Sequence, residues 1–100
     1  MFTITTRENG EILLAGRFDA SQVQQAEAVF DRVAGTSHVN FKDLDYISSA
    51  GLGVLLKTQK RLSESGQSLI LTQMNKLIRD VFRIARFDLV FRIESDEKPR

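Results

Sequence analysis

The stretch richest in chemical possibility is Asp43-Leu44-Asp45-Tyr46-Ile47-Ser48-Ser49-Ala50-Gly51-Leu52-Gly53. Two hydroxyls stand side by side just ahead of an apolar run, Leu52, Val54, Leu55 and Leu56. Three small residues, Ala50, Gly51 and Gly53, keep the backbone there open to an approaching molecule. A strand feeding a helix through such a turn sets unpaired N–H groups and the positive end of the helix dipole beside the serines, which suits an anion. One reading makes Ser48 or Ser49 a plain helix N-cap, with the glycines serving tight packing. A phosphate-binding loop is the enzyme reading. The paired lysine and serine or threonine of a P-loop are missing, however, and Lys57 lies several residues into the helix.

Other residues with chemistry to offer are sparse. His38 is the only histidine, and no serine–histidine–acid spacing supports a catalytic role, so it reads as a surface residue. Asp43 and Asp45 could pair as carboxylates, but they lack the convergent ligands that a divalent cation needs and read as solvated acids of an extended turn. Lys76, Arg79, Arg83 and Arg86 recur at helical spacing. Asp80 and Asp88 nearby, and the absence of interleaved stacking aromatics, argue against a nucleic-acid stripe. A solvated helix face comes first, and a face for an acidic protein second. Phe82 and Phe87 read as core.

The elements that must position these residues follow from periodicity. Phe2 and Ile4 alternate with Thr3 and Thr5, and Asn9-Gly10 is a hairpin signal. A second strand from Glu11 to about Arg17 has apolar residues on both faces, which predicts a central position. Val23, Ala26, Phe30 and Val33 fall at helical spacing, with Gly35 as the C-terminal glycine. Asp19 with Gln22, or Ser21 with Gln24, can form a capping box at its start. A short strand is expected at Val39–Phe41. Leu52, Leu55, Leu56, Gln59 and Leu62 mark a second helix ending at Gly66, and Ser68–Thr72 a buried strand. Asn75 caps a third helix with the stripe Leu77, Ile78, Val81, Phe82 and Ala85, and Leu89, Phe91 and Ile93 alternate as a last strand. The order β-β-α-β-α-β-α-β predicts one α/β domain with a mixed sheet and about three crossover helices.

Bulk numbers narrow the class further. With 100 residues, 42% apolar and 27% charged, the chain has the composition of one globular domain. A formal charge of +1 attracts neither nucleic acid nor an anionic membrane. The absence of cysteine excludes disulfides and thiolate metal sites. No signal-peptide pattern opens the chain, and the apolar run Ala50–Leu56 is far short of a bilayer span, so no membrane insertion and a cytoplasmic location are expected.

Tyr46-Ile47-Ser48-Ser49-Ala50-Gly51-Leu52-Gly53 resembles the signature of STAS domains, the family of bacterial anti-sigma factor antagonists. Gly16-Arg17-Phe18-Asp19 resembles the family's glycine-x-x-aspartate at the end of its second strand. The element order and the final helix Leu77–Phe82 match too, so the resemblance spans residues 1–95, leaving 96–100 as a charged tail that holds the only proline. It implies that the protein is not an enzyme. Ser49 would be the serine phosphorylated by an anti-sigma factor with kinase activity and restored by a serine phosphatase. Asp19, Ser48, Ser49, Ala50, Gly51, Leu52 and Gly53 would bind that partner. ATP would belong to the kinase, and no cofactor, metal or nucleic acid is implied for this chain. Two departures stand out: Ser48 replaces the aspartate of the phosphorylated antagonists, and Ala50 replaces their second serine or threonine. An alternative on the same fold is a non-phosphorylated scaffold or regulatory subunit, as in a bacterial lipid-transport ATPase.

Overall fold

The computed structural model describes residues 1–94. In chain order they form β1 (Phe2–Thr6), β2 (Ile12–Phe18), a 3-10 turn (Ala20–Gln22), α1 (Val23–Phe30), β3 (Ser37–Ile47) and α2 (Ser49–Ser63). Then follow β4 (Leu69–Thr72), α3 (Lys76–Ile84), a second 3-10 turn (Phe87–Leu89) and β5 (Arg92–Glu94). This is the α/β order expected from periodicity. The tail 96–100 lies outside the described residues.

The five strands lie in the sheet in sequence order. β1 and β2 form an antiparallel hairpin, closed by Gly10 N donating to Arg7 O at 2.9 Å, and β2 to β5 pair in parallel. β2 is therefore central, as its two apolar faces predicted. A parallel run in sequence order, joined by right-handed crossovers, carries its helices on one face. Burial follows this on β2 and the first half of β3, where Ile12, Leu14, Val39 and Phe41 are buried while Leu13 and Asn40 are half-buried and His38 exposed. On β4, Ile70 is buried along with Leu69 and Leu71, so that strand is covered on both faces. At Gly16 the chain start crosses so closely that a Cβ would fall 1.6 Å from Met1 O, and φ is +88°, so glycine is obligatory on both counts.

The main departure from expectation is β3. It spans 11 residues instead of three, and Asp43 and Asp45 lie within the strand instead of a turn. Two register shifts against β2 each add one residue to β3. Buried positions therefore fall at Phe41, Leu44 and Ile47, a spacing of three that hides the strand's period of two.

Helix ends also moved. α1 stops at Phe30, leaving Val33 outside it. Arg61 closes this end: its guanidinium donates to the carbonyl of Phe30, the last residue of α1, at 2.9 Å and to Val33 O beyond the helix at 2.8 Å, so Gly35 is not the cap. Gln59 joins α2 to β4, its amide oxygen accepting from Leu69 N at 2.8 Å. α3 starts on the expected cap, Asn75, whose oxygen accepts from Ile78 N at 2.8 Å. It ends where Arg86 turns left-handed at φ 64°. Leu77 and Ala85, expected in its apolar stripe, are exposed, and Leu89 sits in the 3-10 turn instead of a strand. Phe41, Phe87 and Phe91 meet Phe82 edge-on at centroid distances of 5.9, 6.3 and 5.7 Å, so Phe82 and Phe87 serve the core.

Candidate functional site

β2 and β3 end side by side, with Arg17 opposite Tyr46 and Phe18 opposite Ile47. The next residues on the two strands, Asp19 and Ser48, therefore leave the sheet together. Ser48 N donates to Phe18 O at 2.9 Å, a last rung that ties the two ends. No loop intervenes between β3 and α2.

Within this junction the two serines have separate work. Ser48 is the N-cap: its backbone is extended and its Oγ accepts from Gly51 N at 3.2 Å, while its carbonyl takes the first helical bond, from Leu52 N, at 2.9 Å. Ser49 is the first helical residue and is exposed, and its hydroxyl has no hydrogen bond among the described residues. The N–H groups of Ser49 and Ala50 have no intrahelical carbonyl to reach, and the first turn holds no acid to offset the helix dipole. Lys57 lies two turns along α2, where it pairs with Glu27 of α1 at 3.4 Å, not beside the first turn where a P-loop lysine stands.

The small residues divide in the same way. A Cβ on Gly51 would lie 2.9 Å from Ile47 Cγ1 and 3.1 Å from Phe18 O, so glycine lets α2 sit directly on the ends of β2 and β3. Leu52 is buried behind it. Gly53 is exposed, and a Cβ there would meet nothing within 4 Å. Packing inside the domain does not call for glycine at this position.

Asp19 forms the expected capping box with Gln22: its backbone N–H donates to Gln22 Oε1 at 2.8 Å and its Oδ1 accepts from Ser21 N at 3.0 Å. Its other oxygen is 3.7 Å from Arg17 Nε, and the Arg17 guanidinium lies 4.1 Å from the centre of the Tyr46 ring. Arg17 and Tyr46 were not singled out as site residues from the sequence. The signal was the shared order of exposed, buried and polar residue in Arg17-Phe18-Asp19 and Tyr46-Ile47-Ser48, which parallel pairing sets level. His38 is exposed on β3, and among the described residues no three His, Asp or Glu side chains gather as metal ligands. No helix among them is long and apolar enough to cross a membrane.

The family model described as Mlab, STAS domain, matches residues 2–92. The chain belongs to the STAS domain family. An anti-sigma-B factor antagonist of Staphylococcus epidermidis is 31% identical over 86 residues, covering 82% of this chain and 80% of that protein. A STAS-domain containing protein of Pseudomonas aeruginosa is 27% identical over 85 residues, covering 82% and 84%. Among solved STAS structures, the anti-sigma factor antagonist SpoIIAA in its unphosphorylated form superposes with a TM-score of 0.67 at 21% identity, over 98% of this chain and 90% of that one. The phosphorylated form of the same Bacillus protein gives 0.70 at 19% identity, over 98% and 93%. The shared fold is thus a STAS fold.

Proposed function

We propose that this STAS domain is an anti-sigma factor antagonist that works by partner switching. The unmodified domain binds an anti-sigma factor with serine kinase activity through Ser49, Ala50 and Gly53, flanked by Asp19 and Ser48. Gly51 and Leu52 hold that surface in place from beneath. Phosphorylation of Ser49 releases the partner, and a serine phosphatase restores binding. The chemistry is the partners' own, and this chain acts by shape and charge. The observation that carries the reading is the division between the serines: Ser48 is spent on the cap, so Ser49 offers a free hydroxyl that can change without disturbing the helix. The similarity to an anti-sigma-B factor antagonist over most of both chains supports it.

Magnitudes say what such a switch alters. A phosphate adds about −1.5 to −2 charges. At a helix start the dipole favours an anion by about 0.3–1 kcal/mol, so the domain tolerates it. The same charge pressed into an interface built around a neutral serine costs about 2–5 kcal/mol. Binding changes, and stability hardly does. Ser49→Asp should weaken partner binding at least about tenfold with an unchanged melting temperature, since tenfold is about 1.4 kcal/mol. Incubation with the cognate kinase and ATP, read by intact mass, should label the natural chain and Ser48→Ala but not Ser49→Ala. Ser48→Ala should itself melt earlier, by about 1 kcal/mol of lost cap.

A second reading, a regulatory STAS subunit that is never phosphorylated, is favoured by Ser48. It caps the helix as an aspartate would but brings no charge, and the matching family model bears the description Mlab rather than that of a sigma-factor antagonist. If neither serine is ever labelled, this reading takes the place of the switch.

A further inference from the structure

We propose that the exposed side of α3 and the turn after it, residues 76–90, docks an acidic amphipathic helix of a partner protein. This goes beyond the Ser49 switch and does not depend on it. Six large apolar side chains are exposed among the described residues, and four of them, Leu77, Ile84, Leu89 and Val90, fall in this segment, with Ile84 at 81% exposure. Four within one short segment mark an interaction site more often than a single exposed leucine does. The same segment carries Lys76, Arg79, Arg83 and Arg86 against Asp80 and Asp88, a net +2 in a chain whose total is +1.

The two chemistries occupy different edges of the helix. Ile78 and Phe82 face the core. At about 100° per residue, Leu77 and Ile84 lie within about 20° of each other on one flank, beside half-buried Val81, while Lys76, Arg79 and Arg83 lie on the other. Asp80 separates them at the apex, 3.2 Å from Lys76 Nζ and 2.9 Å from an Arg83 nitrogen, so it neutralises part of the basic edge without creating an acidic one. This geometry selects the occupant. A flat bilayer suits an apolar stripe with cations on both sides, which α3 does not have. A second copy of this chain would set cations against cations. A helix lying along α3 meets both edges: apolar residues at i, i+4 and i+7 against Leu77, Val81 and Ile84, and carboxylates against Arg79 and Arg83.

The test uses the full chain, labelled with nitrogen-15, and two synthetic amphipathic helical peptides. One has leucine at the a and d heptad positions and glutamate elsewhere; the other replaces glutamate with lysine. The glutamate peptide should shift amide signals within residues 76–90 and bind at least about tenfold tighter than the lysine peptide. Leu77→Ser with Ile84→Ser, and separately Arg79→Gln with Arg83→Gln, should each weaken it about tenfold. All four positions are exposed, and unchanged melting temperatures confirm that the variants fold. Ser49→Asp should leave peptide affinity as it is, so failure of the switch and failure of this face are read separately. No binding of the glutamate peptide, shifts centred elsewhere, or equal binding of both peptides overturns the proposal. So does self-association, or sedimentation with phosphatidylglycerol–phosphatidylcholine vesicles, that is lost in the Leu77→Ser, Ile84→Ser variant.

Discussion

Gly51 and Gly53 sit two residues apart on one helix and answer to different constraints. Gly51 faces the ends of β2 and β3, where an added methyl would meet Ile47 and the Phe18 carbonyl at about van der Waals overlap. The backbone carbonyl cannot give way as a side-chain tip can. Gly51→Ala should therefore cost about 1–3 kcal/mol, seen as an earlier urea midpoint. Gly53 faces open space, and in mid-helix it costs about 0.5–1 kcal/mol relative to alanine. Gly53→Ala should raise the urea midpoint. If glycine is kept there for the approach of a partner, the same substitution should weaken partner binding, and a stabilised variant that binds as well as the natural chain would free Gly53 of that role. Ser48 and Ser49 form a similar pair. Adjacent in sequence and alike in chemistry, they are separated only by which one has an extended backbone at the head of α2.

Elements are joined in this fold by polar side chains that replace loop structure. Arg61 closes the end of α1, and Gln59 receives the first N–H of β4. Gln59 is 8% exposed, so its partner amide has no water to turn to when the side chain is removed. Gln59→Ala should destabilise by about 1–3 kcal/mol, and hydrogen exchange at the Leu69 amide should rise more than at amides elsewhere in the sheet. Gln59 fell in the predicted apolar stripe of α2, so its burial was legible from spacing. Its bond to β4 was not, because the partner lies ten residues away on a different element. α1 shows the same limit: Val33 extended the helical pattern beyond the point where Arg61 ends the helix.

For the molecule as a whole, the serine turn and the aromatic cluster share one core. Phe18 and Ile47 beneath the turn and Phe82 with Phe91 under α3 belong to one continuous buried group. The turn is therefore held by the same cooperative unit as the rest. Tyr46, the only tyrosine, reports on the turn by fluorescence, while far-UV circular dichroism reports on the whole. The two urea transitions should coincide. In Phe82→Ala both should fall together by about 3–5 kcal/mol, the usual cost of emptying an aromatic site. A Tyr46 transition that stays behind would mean that the turn folds by itself.

Local pattern alone determined the order of elements, the central place of β2, the cap Asn75 and the motif that marks the STAS family, and it narrowed the first cap to Asp19 or Ser21. All of these depend on residues a few positions apart, where side-chain period and backbone preference act without reference to the rest of the chain. The length of β3 was decided only in three dimensions. Its two bulges arise from pairing with β2 and convert a period of two into a period of three around Asp43 and Asp45. The roles of the two serines were decided there as well, because either can cap a helix until the Phe18 carbonyl takes the Ser48 amide and sets the point where α2 begins. Leu77 fitted the helical stripe as well as Ile78 did. Only the packing of α3, which turns Ile78 and Phe82 to the core, left it outside, since a stripe predicts that a face is buried but not which flank its neighbours reach.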